Sequence, residues 1–208
     1  MKSLKNDKLV VLGSGGHARA VIALAHDSGF QISGIYDDSF KKGSHETILS
    51  VPLKGLPSEI PAVQKLILAI GNNHQRKEAF ERFSNQLFEP NLVHQTAFIQ
   101  SSVKFGRSNL VFPKASINAE THIGSNNIIN SGCIVEHECM VKDHTHISIG
   151  AILGGRVNIG NGCFIGAGAV VKDQISICDN VTVGAGSVVV RSITEPGTYV
   201  GNPLRKIR

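Results

Sequence analysis

An aliphatic residue or Phe stands at every sixth position from Val93 to Val189 without a slip: Val93, Ile99, Phe105, Val111, Ile117, Ile123, Ile129, Val135, Val141, Ile147, Leu153, Ile159, Ile165, Val171, Ile177, Val183 and Val189. A helix spaces its apolar residues at about 3.6 and a half-buried strand at about 2, so a strict six-residue period marks a parallel β-helix. Four residues after most anchors comes a small one, such as Ala97, Ala115, Thr121, Cys133, Cys139, Thr145, Ala151, Cys163, Ala169 and Ser187. Each hexad therefore reads as a short strand and a turn, with anchors stacking on their equivalents above and below and small residues fitting the corners. No coil can bury its anchors alone, so the stack is cooperative. Each buried Val or Ile contributes roughly 1.5–3 kcal/mol, which offsets much of the entropy lost in ordering a segment rich in Gly and Asn.

The period begins near residue 92 and divides the 208 residues into two expected domains, 1–91 and 92–208. The first reads as a small α/β unit. Residues 9–12 are an apolar strand, Gly13-Ser14-Gly15-Gly16-His17 a glycine-rich turn, and 18–28 a helix. A second strand, 32–36, ends in Asp37-Asp38; a third, 65–70, ends in Gly71-Asn72-Asn73, and a helix follows over 75–85. Strands alternating with helices imply a parallel sheet, whose ligands bind at the carboxyl ends of the strands, where all three motifs fall. A bare strand-to-helix turn lets backbone N–H groups approach a phosphate. The run departs from the dinucleotide fingerprint G-x-G-x-x-G, because Ala18 takes the place of the third glycine. Asp37 and Asp38 fit either a ribose or base contact or a solvated pair of loop acids.

The net charge of +5 is modest and scattered. With no basic stripe interleaved with aromatics, nucleic acid is a poor partner and anionic small molecules a better one. Lys2, Lys5, Asp7 and Lys8 precede an apolar run of only a few residues, so neither a signal peptide nor a membrane span is expected, and the chain reads as cytoplasmic. Of the four cysteines, Cys133, Cys139 and Cys163 fall on the small-residue column and Cys178 follows an anchor; with no CxxC, all four read as structural.

The richest polar stretch runs from Asn130 through His137-Glu138 to Asp143-His144-Thr145-His146. Asn130, His137, Glu138 and His146 avoid both repeat columns and are expected to point outwards. An imidazole beside a carboxylate suits a general base, since the carboxylate orients the ring and favours the protonated form that develops in the transition state. A solvated surface pair has the same residues.

The hexads resemble those of the hexapeptide-repeat acyltransferases, and the whole chain is similar to the PglD/NeuD-like sugar acetyltransferases. The resemblance rests on Gly13-Ser14-Gly15-Gly16-His17, Asp37-Asp38, Ala69-Ile70-Gly71-Asn72-Asn73, Ile129-Asn130, Val135-Glu136-His137-Glu138-Cys139, His146, Gly154-Gly155 and Gly201-Asn202-Pro203. It implies a Rossmann-like α/β (βαβαβ) domain followed by a left-handed parallel β-helix, an acetyl-CoA-dependent transfer to the C4 amine of a UDP-linked 4-amino-4,6-dideoxy sugar, no metal, and a homotrimer with its active sites between subunits. Carried over onto matching positions, His137 is the general base and Glu138 its partner. Gly13, Gly16, His17, Asp37, Asp38, Gly71, Asn72 and Asn130 belong to the UDP-sugar side; His146, Gly155, Ala167 and Ala185 belong to acetyl-CoA. The family often has a larger residue where Ala167 stands.

Three other readings remain open at this point. A NeuD-like O-acetyltransferase would use the same residues on a hydroxyl. The gamma-class carbonic anhydrases share the β-helix and bind zinc through three histidines between subunits, and His122, His137, His144 and His146 invite that comparison, although the His-x4-His spacing of that family is absent. A non-catalytic nucleotide-sugar binding protein would explain the first domain but not His137-Glu138 beside glycine-rich coils.

Overall fold

The computed structural model describes residues 8–43 and 45–208, and Lys2, Lys5 and Asp7 lie outside the described residues. The chain divides into two compact units, Met1–Leu92 and Val93–Arg208.

In the first unit, β1 (Lys8–Leu12), β2 (Gln31–Tyr36), β3 (Thr47–Ile48), β4 (Val51–Gly55) and β5 (Leu66–Leu68) form a sheet of order β3-β4-β2-β1-β5. β1 pairs in parallel with both β2 and β5, and β2 in parallel with β4, while β3 runs antiparallel to β4. The chain leaves β1 towards β2 on one side and returns to β5 on the other, so the topological switch point lies beside β1, where such sheets bind ligands. Helix α1 (Gly16–Asp27) buries Ala18, Val21, Ile22, Leu24 and Ala25, an apolar stripe at helical spacing. Helix α2 (Asn73–Arg82) buries Arg76 and Ala79.

The second unit is a parallel β-helix. Every predicted anchor ends a short strand or, at Val183, closes one, and from Val111 to Val189 each anchor is at most 3% exposed. Anchors pair in register with the anchors one coil away, as in Ile129↔Ile147↔Ile165, which makes three sheets of six, five and eight strands. Three residues past the anchor the backbone turns through positive φ, in the left-handed region. Gly132, Gly150, Gly162, Gly168 and Gly186 occupy it at φ 64–65°, but so do Glu138 at 57° and Arg156 at 62°.

The corner column is more polar than "small" suggests. Asn109 and Asn127 sit there almost fully buried. Asn109 Oδ1 accepts from Asn127 N at 2.8 Å, Asn127 Oδ1 from Thr145 N at 2.7 Å, and Thr145 Oγ1 from Cys163 N at 3.0 Å. Each link spans one coil of 18 residues and satisfies a backbone donor that would otherwise be buried without a partner. Cys133, Cys139 and Cys163 lie in this column; burial pushes the Cys133 thiol up to about 12 and the other two to about 11, so all three stay protonated. Among the described residues no helix is long and apolar enough to cross a membrane.

Candidate active site

Two places in the fold collect the chemically able residues, one in each unit. In the first, a cleft of about 700 Å³ opens at the carboxyl ends of β1, β2 and β5, lined among others by Gly13, Gly16, His17, Asp37, Asp38 and Gly71. The glycines there do different jobs. Gly13 has φ +110°, and a Cβ on it would fall 2.9 Å from Ala69 O, so only glycine fits where the turn crosses the end of β5. A Cβ on Gly16 would meet nothing within 4 Å; its bareness keeps the floor of the cleft open.

Asp37 and Asp38 separate. Asp37 Oδ2 accepts from Ser14 N at 2.7 Å, and its Oδ1 accepts from Ser39 N at 2.8 Å and Ser39 Oγ at 2.6 Å. Burial works to raise its pKa, but the hydrogen bonds from Ser39 and Ser14 outweigh it and leave Asp37 below the usual carboxylate value. Asp37 is thus the clamp that shapes the glycine-rich turn, while Asp38 is the exposed carboxylate.

Asn72 behaves as a helix cap: its Oδ1 accepts from Gln75 N at 3.0 Å, and it is not among the residues lining the cleft. Pro57, Gln75, Glu78, Arg82 and Phe83, by contrast, do line it. Arg76, 1% exposed, supports the turn before α2 through Ile70 O at 3.2 Å, Gly71 O at 3.3 Å and Asn73 Oδ1 at 2.8 Å.

Desolvation first, and the Arg76 charge second, lower the His17 pKa from 6.5 to about 4. The ring is therefore neutral in the folded protein at physiological pH. The folded state binds fewer protons than the unfolded one between these two values, so His17 contributes stability that is complete above pH 6.5 and lost as the pH falls towards 4. The shift corresponds to on the order of 3 kcal/mol across that window. Wild type is expected to lose thermal stability between pH 7 and 4.5 more steeply than His17→Gln; equal slopes in thermal melts would remove His17 as the source.

In the second unit, His137 and Glu138 occupy the turn after Val135. His137 Nδ1 lies 2.9 Å from Glu138 Oε2, and the two side chains are 48% and 44% exposed. Arg156 Nε donates to the same Oε2 at 3.1 Å. Hydrogen bonds from His137 and then Arg156 hold the Glu138 carboxyl below the usual carboxylate range. An ionised carboxylate only accepts, so Nδ1 carries a proton, and in the neutral form of the ring Nε2 presents a lone pair. Gly155, one coil below, lies under the ring: a Cβ on it would be 2.7 Å from His137 Cε1 and Nε2.

Asn130 and His146 form a separate pair on the preceding face, where Asn130 Nδ2 donates to His146 Nε2 at 3.0 Å. His146 precedes the inward anchor Ile147 on its strand, the outward register position expected for it, but it is covered there. It is 7% exposed, because Asn130 and the edge of Phe164, with ring centroids 5.0 Å apart, cover it. Ala167 and Ala185 are exposed and stacked one coil apart, linked by Gly186 N→Ala167 O at 2.9 Å, on the corner that precedes the next face. His137 and Gly155 thus share one corner of the prism and Ala167 and Ala185 another. The histidines do not converge: His144 Nδ1 pairs with Asn126 Nδ2 at 2.8 Å, and among the described residues no group of three or more His, Cys, Asp or Glu could hold a metal ion.

The model of the PglD N-terminal domain matches residues 8–83, and that of the bacterial transferase hexapeptide (six repeats) matches 156–191. The acetyltransferase domain of PglB from Neisseria gonorrhoeae, solved alone and with acetyl coenzyme A, is 31% identical over 97% of this chain and 100% of its own, with a TM-score of 0.87. Perosamine N-acetyltransferase from Caulobacter crescentus, solved as a single-residue variant with CoA and GDP-perosamine, is 29% identical over 98% of each chain, with a TM-score of 0.91. WeeI from Acinetobacter baumannii, at 24% identity over 97% of this chain and 100% of its own and a TM-score of 0.84, shares the fold. No curated protein sequence matches the chain. With an α/β unit ending in a cleft, a three-sided β-helix of hexads consistent with a left-handed winding, and full-length likeness to the acetyltransferases from Neisseria gonorrhoeae and Caulobacter crescentus, the chain belongs to the PglD/NeuD-like family of hexapeptide-repeat acetyltransferases.

Proposed function

We propose that this protein is an acetyl-CoA-dependent N-acetyltransferase acting on the C4 amine of a UDP-linked 4-amino-4,6-dideoxy sugar, in the synthesis of a bacterial glycan or glycoprotein. The observation that carries the reading is His137, oriented by an ionised Glu138 so that Nε2 offers its lone pair on an exposed corner. The relatives solved with CoA, acetyl-CoA and GDP-perosamine support the substrate classes. The 700 Å³ cleft of the first unit would take the nucleotide handle, with Gly13, Gly16, His17, Asp38 and Gly71 around it and Asp37 shaping the turn. On the β-helix, Asn130 would stand on the sugar side, while His146, Gly155, Ala167 and Ala185 would follow acetyl-CoA.

The step needs no covalent enzyme intermediate. The amine nitrogen bonds to the acetyl carbonyl carbon as His137 Nε2 takes the amine proton; the C–S bond then breaks, and the proton held by His137 passes to the sulfur, so that CoA leaves as the thiol and the base is restored. Positioning supplies much of the acceleration, and the base a factor of about 10² to 10⁴. The two exposed corners lie on either side of a face whose outward column is aliphatic, with Ile134, Ile152, Val170 and Val188. A homotrimer with subunits packed along such a face would enclose an otherwise open site.

Release of CoA thiol, measured across a panel of UDP-, GDP- and CMP-linked amino and hydroxy sugars, tests this. The UDP-4-amino-4,6-dideoxy sugar is expected to give the highest kcat/KM. A preference for a hydroxyl acceptor, or for GDP or CMP, would overturn the corresponding part of the reading.

A further inference from the structure

The turn that carries His137 is gripped from one coil below by a single residue. Arg156 N donates to His137 O at 2.9 Å, and Arg156 Nε donates to Glu138 Oε2 at 3.1 Å. That oxygen is the one His137 Nδ1 also bonds, at 2.9 Å. Gly155, next in sequence, forms the bed on which the imidazole lies. Arg156 holds the left-handed turn position at φ 62°, as Glu138 does one coil away at φ 57°, so the two side chains leave equivalent points of stacked turns.

We propose that Arg156 is a positioning residue for the acetyl transfer: it fixes the Glu138 carboxylate so that His137 stays in the Nδ1–H tautomer with Nε2 directed at the acceptor amine. The proposal rests on His137 being the base. Glu138 alone sits on an exposed turn and has several rotamers open to it. Two donors converging on one oxygen leave it a single arrangement, since His137 and Arg156 are held in place by adjacent coils of a rigid stack. The guanidinium acts through Glu138 and touches neither substrate, so its effect belongs in kcat and not in the binding of either ligand.

A double-mutant cycle on the full-length protein, assayed with the UDP-4-amino-4,6-dideoxy sugar and acetyl-CoA, tests this. Arg156→Met is expected to lower kcat about 10-fold with both KM values within about twofold, and Arg156→Lys to recover part of the loss. In a Glu138→Ala background, Arg156→Met should cost little more, because the two residues act as one unit. Added guanidinium ion should restore part of the Arg156→Met rate. Full additivity in the cycle, or a large rise in one KM with kcat unchanged, would overturn the proposal and mark Arg156 as a substrate contact. The ¹⁵N shifts of the His137 ring report the tautomer without turnover: wild type is expected to be Nδ1–H and Arg156→Met a mixture. An unchanged ring in that variant defeats the positioning role, whereas a fully active His137→Asn defeats the base reading instead.

Discussion

His137→Ala is expected to lower kcat by about two to four orders of magnitude while the protein keeps its fold and its affinity for both substrates. The side chain is 48% exposed and lies outside the column of anchors, so removing it opens no core cavity. What disappears is the acceptor of the amine proton. The transfer then relies on positioning alone, with water taking the proton in the transition state. Glu138→Ala should cost less, since the ring remains but loses the partner that selects its tautomer and stabilises its charged form. Steady-state rates with each substrate varied in turn, beside circular dichroism and calorimetric titration, check the whole pattern. A His137→Ala rate within about threefold of wild type would remove His137 as the base.

The repeat narrows the polar candidates to Asn130, His137, Glu138 and His146, and the family resemblance then selects His137 among them. With the anchors assigned, a polar residue off both columns is expected to point away from the stacked core, and the six-residue period is a geometric requirement that neighbouring residues cannot override. The same arithmetic reaches further. One coil is 18 residues, so the residues beneath His137 and Glu138 are Gly155 and Arg156, and the Arg156 pairing was within reach of the register. The buried Asn109 and Asn127 were harder to read, because a buried amide is explained only by a partner one coil away. His146 illustrates the opposite limit. Its register places it on the outside, but burial there depends on what Asn130 and Phe164 do, and periodicity is silent on that.

The α/β unit was legible in β1, β2, β5 and the two helices, and less so on the β3-β4 side of the sheet. In β4, Val51, Leu53 and Gly55 are buried and alternate with exposed Pro52 and Lys54, the period of a strand. Pro52 and Gly55 obscured it, yet both are tolerated close to a sheet edge. Charge inside a helix was invisible as well: Arg76 stands in a polar helix, and its burial goes with acceptors on Ile70 and Gly71 of the preceding turn and on Asn73, the first residue of α2.

Replacing the anchor Ile147 with Asp is expected to unfold the β-helix, whereas Asn158→Asp, on an outward strand position of the next coil, should leave it intact. Ile147 is fully buried between Ile129 and Ile165 in one continuous column. The substitution forfeits roughly 1.5–3 kcal/mol of apolar burial and in addition buries a carboxyl with no partner, at a further cost of several kcal/mol. The sum rivals the 5–15 kcal/mol that holds a typical domain together. The damage cannot stay local, because each coil is stable only against its neighbours and the Ile147 carbonyl also accepts from Asn130 N at 2.9 Å. Ile147→Val keeps the shape of the column and should cost about 0.5–1.5 kcal/mol. Asn158 is exposed on its strand, so a charge there meets water and should shift stability by about 0.5 kcal/mol or less. Thermal melts followed by circular dichroism compare the three variants. A cooperative, near-wild-type transition for Ile147→Asp would mean that the six-residue register is not what holds the coils together.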